Sequence, residues 1–425
     1  MSTTKKSWVA IIVMFGLFAM IGFVTNLCNP IAVIVKNQFG ISNFQAQLGN
    51  FANFVAYLVM GIPSGWCLQK FGYKRTAMIA IILGIVGLLL EWAAGWESVQ
   101  SFWVYITGAF IAGFCMCMLN TVVNPMLNTL GGGGNKGNQL IQFGGVLNSL
   151  SVTFVTIFAA SLIGDVTKAQ MSNAAPAIFI ALGIFVFAMI VLCIVKIEEP
   201  ELDECKLFDS SVLKYTHTVC GLVAIFLYMC VEVGLPTYIL QYLSTPVDAE
   251  GAVGLGMDAG VAGTVAALYW LLMLVGRFCG GVVGGKVSSR TLVSTVATIA
   301  VILILAGIFA PATDVTCVGF ESSTGKFALV EVPLCTVFFV LGGLCTSVMW
   351  GGIFNMAVEG LNPTQTKVAS GLFMTMVFGG AILVPFQGYV ADVTGSFLAS
   401  YWVPAICAAY ILIYALVLSR PKVAK

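Results

Sequence analysis

The residue most able to do chemistry is Glu232, about seventeen residues into an apolar run over 215–243. An ionised carboxylate at that depth of a membrane is costly, so the group is expected either to be paired or to take up and release a proton. It is the one acid expected at mid-depth. Glu91 and Asp392 fall near the outer ends of their runs and Glu359 near an inner end, where water is expected to reach them. Around Glu232 the polar inventory is amide-rich. Asn120, Asn124 and Asn128 recur at i, i+4, i+8 and share a helix face. Asn26 and Asn29 stand at i, i+3, and Gln142 and Asn148 follow in the next run. An amide in hydrocarbon must face protein or water, so these groups serve either as helix–helix glue or as the lining of a cavity that hydrogen-bonds hydroxyl groups. Tyr238, Tyr269, Trp270 and Trp350 are candidates to stack on the apolar face of a ligand. Arg277, inside an apolar run, is expected to reach the cytoplasmic interface or a helix end; the sharper reading gives it an acidic ligand.

Several chemistries are excluded. The single histidine, His217, cannot found a metal cluster or a catalytic triad, and most of the 13 cysteines lie inside apolar stretches, where a thiol behaves as a small hydrophobe. No metal or cofactor is expected. Gly131–Gly134 is followed by Asn135-Lys136-Gly137 rather than the Gly-Lys-Ser/Thr of a phosphate loop, which leaves a flexible turn. Only 9% of the 425 residues are charged and 59% are hydrophobic, against about 25% charged in soluble domains. A soluble enzyme, a nucleic-acid binder and a disordered chain are all incompatible with that composition.

The elements that must position these groups are membrane helices. Each needs roughly 20 apolar residues, and twelve such runs can be read: 8–35, 46–68, 76–95, 101–129, 139–163, 174–196, 215–243, 260–284, 291–311, 332–358, 368–392 and 398–419. With the N-terminus inside, fifteen of the 19 Lys and Arg fall in cytoplasmic segments, and Lys36, Lys168 and Lys326 fall outside. That bias places both termini in the cytoplasm. The polar stretch Lys196–Lys214 follows six runs and precedes six. The expected organisation is therefore an all-α membrane protein with six helices in 1–196, a cytoplasmic linker at 197–214 and six more in 215–425, a layout of carriers built from two related halves.

Between the second and third runs, Gly65, Gln69, Lys70, Gly72, Lys74 and Arg75 resemble the gating-loop signature of the major facilitator superfamily, with Gln69 at the usual Asp. A weaker copy is spread over Gly281, Gly285, Lys286, Ser288 and Arg290. Thr25-Asn26-Leu27-Cys28-Asn29 followed by Ser42-Asn43-Phe44-Gln45-Ala46 is similar to the fucose:proton symporter family, which has N-L-N-D and T-N-F-Q-A there. Asn120-Thr121-Val122-Val123-Asn124-Pro125 resembles its E-T-A-A-N-P. Tyr228-Met229-Cys230-Val231-Glu232-Val233 and Met349-Trp350-Gly351-Gly352-Ile353-Phe354 resemble motifs of its glucose/galactose branch.

The resemblance implies a twelve-helix carrier in two six-helix bundles, a monomer in the bacterial inner membrane. It would import a monosaccharide by alternating access, with a proton as coupling ion. Asn26, Asn29, Asn120, Asn124, Gln142, Asn148, Glu232, Tyr269 and Trp350 are the expected sugar contacts, and Glu232 the proton carrier. The chain departs from the family at Asn29 and Asn120, where it has an aspartate and a glutamate. Both asparagines keep hydrogen-bonding capacity and lose ionisation. Uncoupled transport, sodium coupling and carriage of an acidic sugar such as sialic acid therefore stand as alternatives. A sugar sensor that moves nothing is disfavoured because no signalling domain is present.

Overall fold

The computed structural model describes residues 8–40, 43–163, 170–195, 210–247, 252–321 and 326–421; within these, some side chains of the first, second, fourth, fifth and seventh helices lie outside the description. The helices are α1 (Trp8–Phe39), α2 (Asn43–Ala93), α3 (Phe102–Leu130), α4 (Gly134–Ile163), α5 (Met171–Ile194), α6 (Thr216–Ser244), α7 (Ala259–Val283), α8 (Ser289–Ile308), α9 (Leu334–Thr346), α10 (Met349–Ala357), α11 (Pro363–Met376), α12 (Gly379–Thr394), α13 (Phe397–Ser400) and α14 (Trp402–Ile413). Among the described residues, ten helical stretches are long and apolar enough to cross a membrane. Eleven of the twelve expected runs fall on these stretches, and the run 139–163 falls on α4. α2 holds two of them, joined through Gly72 at φ 79°, where the helical path breaks. The pairs α9–α10 and α11–α12 each make one run, interrupted at Ser347–Val348 and Val377–Phe378.

Local sequence explains the ends. Asp258 accepts from the backbone N–H of Gly260 and Val261 and starts α7; Ser288 does the same for α8 through Thr291. Asn362 and Gln365 form a reciprocal capping box, with Pro363 in the first turn of α11. Between α8 and α9 lies an antiparallel hairpin, β1 (Asp314–Glu321) with β2 (Lys326–Pro333), in which Val318 faces Leu329 and Phe320 faces Phe327. The run-based reading had no element here.

The chain forms two compact units. The first comprises residues 1–214 with Gly360–Phe378, and the second comprises Tyr215–Glu359 with Gly379–Lys425. In the first, α11 packs on α2 along glycine. A Cβ on Gly371 would stand 2.6 Å from the Gly61 carbonyl oxygen and 2.9 Å from the Gly65 Cα, and one on Gly61 would meet the Thr375 backbone. Ser370 Oγ donates to the Thr121 carbonyl across the same seam. The later part of α2 lies equally close to α3, with Gly87 against Ala112 and Gly108 against Glu91. Small residues at these crossings let backbones approach, the usual basis of helix association in lipid.

In the second unit, α7 meets α9 by the same device. A Cβ on Gly343 would stand 2.2 Å from the Tyr269 carbonyl oxygen, and one on Gly276 would strike Ser347 and the Leu344 carbonyl. These two contacts fix the height of Tyr269 and Arg277 against the α9–α10 break.

Because the atoms around Gly371 are backbone and cannot swing away, Gly371→Val should destabilise the protein by about 1–3 kcal/mol. A lowered thermal midpoint of the purified protein in detergent checks this, with Ser370→Ala as a milder comparison.

Candidate functional site

In the second unit, Glu232 of α6 is bound to Arg277 of α7, Arg277 Nη2 standing 3.5 Å from Glu232 Oε1. Both side chains are mostly buried, at 14% exposure for Arg277 and 15% for Glu232. Arg277 is thus met by a carboxylate inside the unit. It turns inward, because a carboxylate one helix away is a better partner than distant water. The Tyr228 hydroxyl, one turn before Glu232 on the same face, also addresses the carboxyl and lies 3.3 Å from the Thr346 carbonyl oxygen. Thr346 is the last residue of α9, so its carbonyl sits at the helix break. Tyr269 OH and Thr346 Oγ1 are 2.8 Å apart. Trp350, in the first turn of α10, tilts over Tyr228 with ring centroids 6.1 Å apart. Glu232, Arg277, Tyr228, Tyr269, Thr346 and Trp350 therefore form one polar-aromatic cluster at a discontinuous helix.

The other aromatic candidates lie elsewhere. Tyr238 is buried and donates to the Val384 carbonyl. Trp270 is 40% exposed, standing edge-on to Tyr269.

In the first unit, Asn120 Nδ2 donates to Tyr57 OH at 3.1 Å and to the Met116 carbonyl at 3.0 Å. Asn124 Nδ2 donates to the Asn120 carbonyl at 2.8 Å. Each amide thus spends a donor on the carbonyl one turn earlier, and the Asn120 ladder continues to α2 through Tyr57. Asn128 packs against Gly137 of α4. Asn148 bridges α4 to α1, its Nδ2 donating to the Phe18 carbonyl at 3.0 Å. Gln142 is buried on α4. The side chains of Asn26 and Asn29 lie outside the described residues; their backbones belong to α1. Asn120 and Asn124 are brought together, whereas Asn148 works at a separate helix contact.

The gating-loop residues divide by environment. Gln69 is buried, its Nε2 donating to the Gly65 carbonyl at 3.4 Å. Lys70 covers the Trp66 ring at 4.7 Å. Lys74 Nζ donates to the carbonyls of Cys193 and Val195, at 3.2 and 2.9 Å, and so closes the end of α5. Arg75 is exposed. Lys367 of α11 is only 2% exposed, with its ammonium 5.7 Å from the centre of the Tyr73 ring.

Two other expectations meet a structural answer. Glu359 is exposed and pairs with Arg290 at 3.2 Å, as an interfacial group does. Glu91 is not reached by water: it is 1% exposed. Helical position near an outer end did not predict burial, because α3, α5 and the turn after α2 close over it. Among the described residues no group of three or more His, Cys, Asp or Glu could hold a metal ion.

Sequence reasoning missed Tyr57 and Thr346, which carry no local signal. Tyr228 had one, its i, i+4 spacing to Glu232.

Comparison with known proteins places the chain. The Major Facilitator Superfamily profile matches residues 13–320. A glucose/galactose transporter of Brucella abortus is 28% identical over 429 residues, covering 99% of this chain and 96% of its own. The L-fucose-proton symporter of Escherichia coli is 23% identical, covering 95% and 92%. Among solved structures, FucP, a major facilitator transporter in the outward conformation, superposes with a TM-score of 0.80 at 21% identity, covering 97% of this chain and 99% of that one. The proton:xylose symporter XylE superposes with a TM-score of 0.71 at 12% identity. At these identities the solved structures share the fold.

Removing one member of a largely buried ion pair costs about 3–5 kcal/mol, because the other charge is stranded. Arg277→Gln should accordingly lower thermal stability more than the double change Glu232→Gln with Arg277→Gln. A double-mutant cycle on thermal midpoints checks this; equal losses in the two variants would mean that the pair is not formed.

Proposed function

The chain belongs to the Major Facilitator Superfamily, and from that premise we propose that it is a secondary carrier importing a neutral monosaccharide by proton symport, through alternating access. The protein is a multi-pass membrane transporter and not an enzyme. We place it in the bacterial inner membrane as a monomer with both termini cytoplasmic and two bundles joined at 197–214. The names of its full-length relatives, glucose/galactose transporter and L-fucose-proton symporter, support the solute class.

The observation that carries the coupling is the Glu232–Arg277 pair. Protonating Glu232 removes its charge and weakens the hold on Arg277, so proton binding and rearrangement of α6 against α7 are linked events. Tyr228 and Tyr269 stand ready to redirect hydroxyls when the pair opens. Sugar hydroxyls need donors and acceptors but no charge, and Asn26, Asn29, Asn120, Asn124 and Gln142 supply these in the first unit, where Asn148 instead holds α4 to α1. Glu232, Tyr269 and Trp350 supply them in the second, together with an aromatic face.

The pair also weighs against an acidic sugar. Arg277 is already neutralised, and a substrate carboxylate would have to displace Glu232 from it. Uncoupled transport is the second reading, favoured by Asn29 and Asn120, which place amides where the resembling family carries acids.

Proteoliposome uptake of labelled D-glucose, D-galactose and L-fucose, with and without an inward proton gradient, tests the proposal. Gradient-driven accumulation of one of these is expected, and replacement of sodium by choline should leave it unchanged. In Glu232→Gln, accumulation should be lost while counterflow of the same sugar persists. Accumulation surviving in Glu232→Gln overturns coupling through this residue, and counterflow without any accumulation in the wild type establishes the uncoupled reading.

A further inference from the structure

A second carboxyl, in the other unit, has no role in the reading above. Glu91 stands two residues before the end of α2 and is 1% exposed, and among the described residues neither carboxyl oxygen has a hydrogen-bond partner. Its methylene lies on the α2–α3 seam, where a Cβ on Gly108 would stand 2.9 Å from Glu91 Cγ. Along this face α2 presents Gly84, Gly87 and Glu91 to Cys115, Ala112 and Gly108 of α3. The seam is thus built of small groups that leave the carboxyl no room to swing out.

One turn further along α2, Gln38 of α1 closes the end. Its Nε2 donates to the Gly95 carbonyl at 3.3 Å, and its Oε1 accepts from the Met171 N–H of α5 at 2.8 Å. The side chain of Met171 meets Gly95 beneath that clamp, and Trp92 packs edge-on against Trp96 and Phe179 beside it.

No charge answers Glu91 from the neighbouring described side chains. On α3, the Tyr105 hydroxyl is turned to Gly49 and the Cys115 thiol to Gly84. On α5, Cys193 lies at the end bound by Lys74, which is about 25 Å from Glu91 by helical rise. Lys367 of α11 sits over Tyr73, beside the Gly72 break of α2 and far from Glu91. On α1, the side chain of Lys36 lies outside the described residues, and Glu97 lies in the turn beyond Gly95.

A carboxylate without cation, donor or water is among the most costly groups to bury, whereas a neutral carboxylic acid is tolerated. We propose that Glu91 is a proton-binding site of the first unit, loaded in this conformation and emptied when the Gln38 clamp opens during the transport cycle. The step is an O–H bond formed and broken on one carboxyl oxygen, with water outside the clamp as donor and acceptor. The proposal rests on the symport reading for its place in the cycle and adds to it a second coupled proton, carried only in cycles in which Glu232 is also loaded. It also answers a gap left by Asn29 and Asn120, which cannot ionise: the first unit then holds a titratable group after all, at another position.

Two measurements test it, and the first needs no sugar. Infrared difference spectra of the reconstituted protein between acidic and alkaline medium should contain the C=O band of a protonated carboxylic acid that is missing from Glu91→Gln. In Gln38→Ala, which opens the clamp, that band should disappear at a lower pH. The second compares protons moved per sugar in proteoliposomes. The ratio should fall by half in Glu91→Gln while sugar counterflow stays at the wild-type rate.

A band identical in wild type and Glu91→Gln, or an unchanged proton ratio, overturns the proposal. A wild type that moves no protons with sugar ends the symport reading instead, and Glu91 is then judged by the band alone. Wild-type thermal stability in Glu91→Gln verifies that the isosteric amide leaves the fold intact.

Discussion

The constraint on which the structure depends is that a polar group withdrawn from water into a lipid-embedded interior must be answered by another. The Glu232–Arg277 pair is the clearest case. Neither side chain is fully buried, and each would be costly alone at this depth. Their mutual attraction ties α6 to α7, and Tyr228 and Thr346 extend the tie to the break between α9 and α10. The first unit answers the same constraint with neutral groups. Asn120, Asn124 and Thr121 each donate to a carbonyl one turn back along α3, which satisfies a donor locally.

The backbone has to bring these groups within reach, and it does so through what the sequence leaves out. Where Gly371 meets Gly61 and Gly65, where Gly343 meets Tyr269 and where Gly87 meets Ala112, any side chain would hold the helices apart. Helices that cross this closely are then interrupted where function needs free backbone. The interruption after Thr346 places a carbonyl beside Tyr228, and Pro236 in α6 and Pro385 in α12 each remove one backbone donor from the helical ladder. Close packing and local breaks are complementary: the first fixes height and angle, and the second supplies polar atoms that a continuous helix would consume.

Much of this was legible in the residues. Runs of apolar sequence gave the helices because lipid imposes a minimum length, and Glu232 was conspicuous because an acid in mid-run has few innocuous explanations. The loop bearing Gly65 and Gly72 announced itself through glycines and basic residues at fixed spacing, and Gly72 does break α2. What could not be read was pairing across helices. Arg277 stands 45 positions from Glu232, and nothing in either neighbourhood specifies that the two helices abut on those faces. Glu91 was misjudged for the same reason: distance from a helix end measures depth along the normal, while burial depends on which helices surround that end. The β1–β2 hairpin escaped because its strands are short and the residues between them, 322–325, are polar and unremarkable in sequence beside the long apolar runs.

The amide ladder of α3 and the ion pair between α6 and α7 therefore respond differently to a proton. Adding one to an amide ladder changes nothing, since asparagine and glutamine do not titrate near neutrality and their hydrogen bonds persist. Adding one to an ion pair removes the attraction that joins two helices. A conformational equilibrium follows proton concentration only where the proton binds one conformation better than another. Amide-rich α3 is suited to recognising hydroxyls under all conditions, and α6 with α7 is suited to changing its contacts when the carboxyl is neutralised. On the proposed reading, an amide at Asn120 is compatible with solute recognition, because holding a sugar and sensing a proton are separable tasks that one carboxylate can combine but two different groups can share.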